Sequence, residues 1–239
     1  MPDEPGAVIT PRVQGWLSVD KPVGWSSFQV VARVRKLTRV KKVGHAGTLD
    51  PFASGVLVVG VGKEFTRQIE TVQSQPKGYC VRMVLGMETD TLDPEGRILS
   101  VDEGVATRPL VQQFLEDPSF QRAVLAQWIG DIAQMPPRYS AKKINGVPMY
   151  AMARKNQEFE VRPTHVRIDS IEVISTRQGV FPTVDLRIHC GKGTYIRSLV
   201  RDIAIALETV GYAQLLVREF IGDYRLADAL SVEAIPCVF

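Results

Sequence analysis

The alternation of apolar and polar positions divides the chain into predicted elements. Residues 1–14 are read as a flexible arm, and Gly15-Trp16-Leu17-Ser18-Val19 then predicts a short strand stopped by Asp20-Lys21-Pro22-Val23-Gly24. Ser26 or Ser27 can cap a helix on which Val30, Val31, Val34 and Leu37 supply the apolar positions, while Arg33, Arg35, Lys36 and Arg39 supply charge. The apolar run from Gly55 to Val61 predicts a buried strand, followed by a helix near 63–73. Lys77 to Gly86 reads as a strand with Tyr79, Val81, Met83 and Leu85 on one face. Beyond it the pattern predicts a helix within 108–130, a polar loop at 135–146 and a helix near 148–155. Strands at 165–177 and 183–190 are joined near Gly179, and a helix follows Gly191-Lys192-Gly193-Thr194 and runs through Ala206.

Composition narrows this picture only a little. A chain of 239 residues, 45% hydrophobic and 23% charged, describes a soluble globular protein of one large domain or two small ones. The net charge of +3 is the difference between 29 basic and 26 acidic residues, so a nucleic-acid surface has to arise from clustering. Cys80, Cys190 and Cys237 are odd in number and far apart, which fits reduced thiols. The start, Met1-Pro2-Asp3-Glu4-Pro5-Gly6, is acidic and Pro-rich where a signal peptide is basic and then apolar. No apolar stretch reaches the roughly 20 residues that span a bilayer. The expectation is a cytoplasmic protein without a membrane role.

The chemistry concentrates in Gly44-His45-Ala46-Gly47-Thr48-Leu49-Asp50-Pro51-Phe52-Ala53-Ser54-Gly55-Val56-Leu57. This reads as a loop that holds one carboxylate, Asp50, at the mouth of the buried strand. Gly44, Gly47 and Gly55 remove Cβ and open positive φ, and Pro51 fixes φ just after the acid. By itself such a cluster is also an ordinary turn. The whole string, however, resembles the signature loop of the TruB family of tRNA pseudouridine synthases, approximately G-H-x-G-x-L-D-P-x-A-x-G-x-L. That resemblance implies that Asp50 is the catalytic aspartate.

Further blocks resemble the same family. Lys77-Gly78-Tyr79 and Leu85-Gly86, followed by Thr89-Asp90-Thr91 and Asp93-Pro94-Glu95-Gly96, match K-x-Y-x(5)-L-G and its sequel. The match puts Tyr79 against the target uracil, where periodicity alone makes it a core tyrosine with a wet hydroxyl. Pro136 to Lys143 is similar to P-x-x-Y-S-A-x-K, and Lys192 to Arg197 reads K-G-T-Y-I-R. The latter implies that Arg197 pairs with the catalytic aspartate and that Tyr195 supports the site. Leu215 to Gly222 resembles L-R-R-T-x-x-G with Val217 and Glu219 departing from it, which makes Leu216 either a wall against the uracil or plain strand core. His45 is implied to occupy the space an extruded base leaves. Lys41 and Lys42 end a basic run immediately before the Gly44 loop, where an RNA backbone would pass, although a solvated face is the ordinary reading of such charge.

The resemblance implies an α+β fold with a mixed, mainly antiparallel sheet, forming one catalytic domain over 15–239 without the carboxy-terminal PUA domain that many members carry. It also implies isomerisation of uridine-55 in the tRNA T-loop. Breaking the C1′–N1 bond and rejoining the base through C5 neither oxidises nor hydrolyses, so no cofactor and no metal are expected. The partner would be the T-arm of tRNA, and the protein a monomer. His45, His165, His189 and Cys190 show no zinc spacing, and neither Gly60-Val61-Gly62-Lys63-Glu64 nor Gly191-Lys192-Gly193 fits a Walker loop. A carboxylate in a water-excluding site needs a cation beside it, the part expected of Arg197. Asp50 could serve as nucleophile or as base, and both remain open. The competing readings are a tRNA-folding chaperone and a guide-RNA-dependent synthase.

Overall fold

The structure, a computed structural model, describes residues 14–144, 146–155 and 157–235. The predicted arm, apart from Gln14, lies outside the described residues, as do Asn145, Asn156 and Cys237. Strand β1 (Gly15–Lys21) turns into helix α1 (Ser27–Thr38), and β2 (Val43–Ala46) and β3 (Ser54–Val61) flank the turn that carries Asp50. Next come α2 (Lys63–Arg67), α3 (Ile69–Gln73), β4 (Lys77–Leu85), and a small hairpin of β5 (Met87–Thr89) and β6 (Ile98–Val101). Helices α4 (Pro109–Glu116) and α5 (Pro118–Leu125) lead to β7 (Gly130–Gln134), then β8 (Lys143–Ile144), β9 (Val147–Pro148) and α6 (Met149–Arg154). The chain closes with β10 (Thr164–Arg177), β11 (Thr183–Cys190), α7 (Ile196–Ala206), β12 (Gly211–Ile221), β13 (Tyr224–Arg225) and β14 (Leu230–Ser231).

Ten strands form one sheet in the order β14-β1-β3-β12-β4-β11-β10-β7, with β2 added to β3 and β13 to β12. Its pairings are antiparallel except β1 with β14 and β3 with β12. The expected mixed, mainly antiparallel sheet is thus present. One core packs α4, α5 and α7 on the face of β4, β10, β11 and β12 that bears Tyr79, Val81, Met83, Leu85, Leu186 and Ile188. A second core seats Val30, Val31 and Val34 of α1 on Leu57, Val59 and Val61 of β3. On the other face of β3, Val56 and Val58 form a small core with Ala46 and Ile221, against which Ile69 and Val72 of α3 pack. A strand covered on both faces has no polar side to show, which is why its sequence runs apolar without alternation.

Helix α1 begins at a capping box: the Gln29 amide donates to Ser26 Oγ at 3.2 Å, and the Ser26 amide donates to Gln29 Oε1 at 2.7 Å. Three expectations need correction. Gly44, His45 and Ala46 are not loop but strand β2, because their main chain pairs with Gly60, Val59 and Val58. The single helix expected within 108–130 is two, since Pro118 lacks the N–H to continue α4 and Asp117 accepts from Ser119 and Phe120 to start α5. The helix near 63–73 likewise breaks at Gln68.

The sheet face opposite the main core is tied by Asp185 of β11. Arg82 Nε donates to it at 2.7 Å from β4, while Ser175 Oγ and Arg177 Nη1 reach it at 3.0 Å from β10. Arg82 above all, aided by Ser175 and Arg177, holds its carboxyl down at about 2, against 3.8 for a free one. A depressed acid stabilises the fold above its unfolded value, so this contribution is complete above pH 4 and fades as pH falls towards 2. Asp185→Asn should therefore lower the urea midpoint at pH 7, by about 1 kcal/mol of stability. The gap between mutant and wild type should narrow steadily when the titration is repeated at pH 3 and below.

Candidate active site

Asp50 occupies the turn between β2 and β3, and its neighbours are held from below by the segment Lys21 to Ser27. Ser27 Oγ accepts from the Leu49 amide at 2.8 Å and donates to the Leu49 carbonyl at 3.0 Å. The Gly24 amide donates to the Pro51 carbonyl at 2.8 Å. Lys21 is fully buried, and its ammonium donates to the carbonyls of Pro22, Trp25 and Pro51 at 2.9, 2.6 and 3.3 Å. Burial pulls its pKa down to about 8, with the Asp50 charge opposing. The Asp-Lys-Pro-x-Gly turn is thus the underside of the Asp50 turn.

Arg197, in the first turn of α7, is 5% exposed and directs Nε at Asp50 Oδ2, 2.9 Å away. Its other donors are also committed. Nη1 meets Asp93 Oδ2 at 3.0 Å and the Thr91 carbonyl, and Nη2 donates to the Tyr139 carbonyl at 2.8 Å. The guanidinium therefore bridges two carboxylates, of which Asp93 is buried and Asp50 is one-third exposed. Burial raises the Asp93 pKa, opposed by the hydrogen bond from Thr91 and the charge of Arg197.

Asp50 and Arg197 open on a cavity of about 420 Å³ whose lining includes Tyr79, Leu216, Lys77, Arg218 and Tyr195. Tyr79 and Leu216 project from adjacent strands, with Leu216 paired to Val81, so one face of β4 and β12 supplies a flat apolar wall. Tyr79 is 7% exposed, and burial raises its pKa. It belongs to the main core and also lines the cavity. Tyr195 is fixed by Gln134, which accepts from its amide at 2.8 Å and donates to its carbonyl at 3.1 Å. Lys77, also buried, donates to the carbonyls of Gln73 and Gln75, and burial lowers its pKa to about 8.

Not every proposed site residue meets at this cavity. Asp50, Tyr79, Arg197, Tyr195 and Leu216 line it, whereas His45, Lys41 and Lys42 do not. His45 lies on β2, where burial lowers its pKa and Nδ1 has no hydrogen-bond partner. Lys41 and Lys42 are exposed ahead of β2. Sequence reasoning missed Asp93, Lys77 and Arg218, although each stands inside a block it singled out. Among the described residues no group of three or more His, Cys, Asp or Glu side chains is placed to hold a metal, and no helix is long and apolar enough to cross a membrane. His189 stacks edge-on against Phe220 while Cys190 is buried in the main core, as expected for neighbours on a strand.

The chain is similar to known proteins of one family. A family described as "TruB family pseudouridylate synthase (N terminal domain)" matches residues 35–196. Proteins named tRNA pseudouridine synthase B are similar over most of the chain. That of Microcystis aeruginosa is 42% identical, covering 92% of this chain and 72% of the relative. That of Phocaeicola vulgatus is 40% identical, covering 92% and 91%. Among solved structures, a Cbf5-Nop10-Gar1 complex contains a chain 28% identical with a TM-score of 0.65, matched over 92% of this chain. The present chain spans about half of that one, 52%.

Proposed function

Because the chain belongs to the TruB family of pseudouridylate synthases, we propose that it isomerises the T-loop uridine of tRNA to pseudouridine at the Asp50–Arg197 cavity. The observation that carries the reading is one carboxylate, ion-paired by a buried arginine, at the mouth of a cavity with an aromatic and aliphatic wall. Sequence identity near 40% to tRNA pseudouridine synthases B supports tRNA as substrate over a guide-RNA-directed target. A cytoplasmic monomer that meets the T-arm is the form this reading implies.

A uridine stacked in a folded loop is out of reach, and extruding it costs a few kcal/mol. In the cavity, Asp50 acts on the ribose, either by attacking C1′ or by removing the C2′ proton. Either act lets the C1′–N1 bond break with its electron pair leaving on the uracil. Tyr79 and Leu216 confine the detached ring while it turns to offer C5 to C1′. As C5 bonds to C1′, the Asp50–C1′ bond breaks on the first route, or the proton taken from C2′ is returned there on the second; the C5 proton is then lost and N1 is protonated, so the product is an isomer of the substrate. His45, outside the cavity, would fill the gap in the RNA, and Lys41 and Lys42 would neutralise backbone phosphates beside it.

The test is tritium release from tRNA transcript labelled at uracil C5. Release from the wild-type transcript, absent when the T-loop uridine is replaced by cytidine, is expected. Tight tRNA binding without any release would overturn the enzyme reading in favour of a binding protein. On the same assay, Tyr79→Ala should lower the rate about 100-fold, because an unconfined ring leaves the geometry needed for rebonding.

A further inference from the structure

Arg218 of β12 is the largest of the fully buried side chains, at 1% exposed, and it was assigned nothing by the reaction scheme above. Its donors point at the stems of the Asp50 turn. Nη2 donates to the Gly47 carbonyl at 3.0 Å and Nη1 reaches the Thr48 carbonyl at 3.4 Å, both on the stem that enters the turn. Nε donates to the Val56 carbonyl at 2.7 Å, on the stem that leaves it. One rigid, planar group thus joins the two sides of the segment that holds Asp50.

The backbone around it is shaped to allow this. Gly55 has φ +101° and pairs with Arg218 itself, and a side-chain carbon at 55 would lie 2.3 Å from the Arg218 carbonyl oxygen. β12 can approach the departing stem only because Gly55 has no side chain. Arg218 is paired across β4 with Tyr79, and Leu216 lies two residues away on the same strand. The strand that supplies the uracil wall therefore also grips the carboxylate's turn.

We propose that Arg218 is a positioning residue that fixes the distance between the Asp50 carboxylate and the Tyr79–Leu216 wall by clamping the two stems of the Asp50 turn. The proposal rests on the reading of Asp50 as the reacting group. Lysine gathers its donors on one nitrogen, whereas the guanidinium offers Nε to one stem and Nη1 and Nη2 to the other in a fixed plane, so lysine keeps the charge without the rigid fork. A displacement of Asp50 of the order of 1 Å is sufficient for a loss of about 100-fold in rate.

The test compares Arg218→Lys, Arg218→Gln and the control Arg82→Met, which breaks the ion pair to Asp185 on the other face of the sheet. For each, the urea midpoint, tRNA affinity by filter binding and single-turnover tritium release are measured at saturating enzyme. For whichever Arg218 variant folds, tRNA affinity should stay within about threefold and the single-turnover rate should fall about 100-fold. Arg82→Met should lose stability yet keep the wild-type rate. Full rate in an Arg218 variant would overturn the proposal, as would a rate loss that Arg82→Met shares in proportion to its loss of stability. Failure of the wild-type protein to release tritium would instead count against the functional reading itself.

Discussion

Asp50→Asn is expected to reduce the single-turnover rate of tritium release by at least about 10⁴-fold while tRNA affinity stays within about threefold. Asparagine is nearly isosteric, and the contacts that hold the turn are made by the main chain of Gly47, Thr48, Leu49 and Pro51, not by the Asp50 side chain. The turn should therefore keep its shape. What is lost is a carboxylate able to attack C1′ or take the C2′ proton, for which an amide is no substitute. Wild-type-like release from the variant would show that another group performs the reaction.

Arg197→Met should produce the next largest loss, with a second consequence that Asp50→Asn lacks. Arg197 bridges Asp50 and Asp93 and also satisfies the carbonyls of Thr91 and Tyr139. Removing it leaves Asp93, 5% exposed, as a buried carboxylate without its guanidinium. Breaking one side of a buried pair costs about 3–5 kcal/mol, so the urea midpoint should fall clearly. The rate should drop about 10³-fold or more, since the group that aims the carboxylate is gone. Arg197→Lys separates the two effects. It retains the charge and hence much of the stability, but one ammonium cannot hold both carboxylates in the same geometry, and the rate should remain at least about 100-fold down. A wild-type rate in Arg197→Lys would show that charge alone, and not the bridge, is what the site uses.

Local signals carried much of this protein because many elements obey short-range rules. Ser26 and Gln29 start α1 through contacts within one turn, and the strand periodicity of Tyr79 to Leu85 needs only the alternation of the pleat. Helix breaks escape a periodicity pattern where one residue overrides it, as Pro118 does within 108–130. Strand β2 was hidden for a different reason: Gly44 and His45 have little strand preference, and pairing with β3 decides their conformation. Asp93 stood in a polar segment beside Asp90 and Glu95, and nothing local distinguishes the acid that faces Arg197 from its neighbours.

Arg218 marks the boundary most clearly. As a sequence position it lies in the segment that departs from the family pattern, and an arginine in a strand is ordinarily an exposed one. Its role depends on carbonyls at Gly47, Thr48 and Val56, more than 160 residues earlier in the chain. The amino-acid pattern alone carried the family, Asp50 as the candidate acid with Arg197 as its expected partner, and the strands and helices that local patterning controls. Folding adds the other charged groups around Asp50 and Arg197: Lys21 below the turn, Asp93 sharing the guanidinium, and Arg218 across the stems. Such partners meet through long-range strand pairing and burial, and a linear pattern carries no distance between residues that only folding brings together.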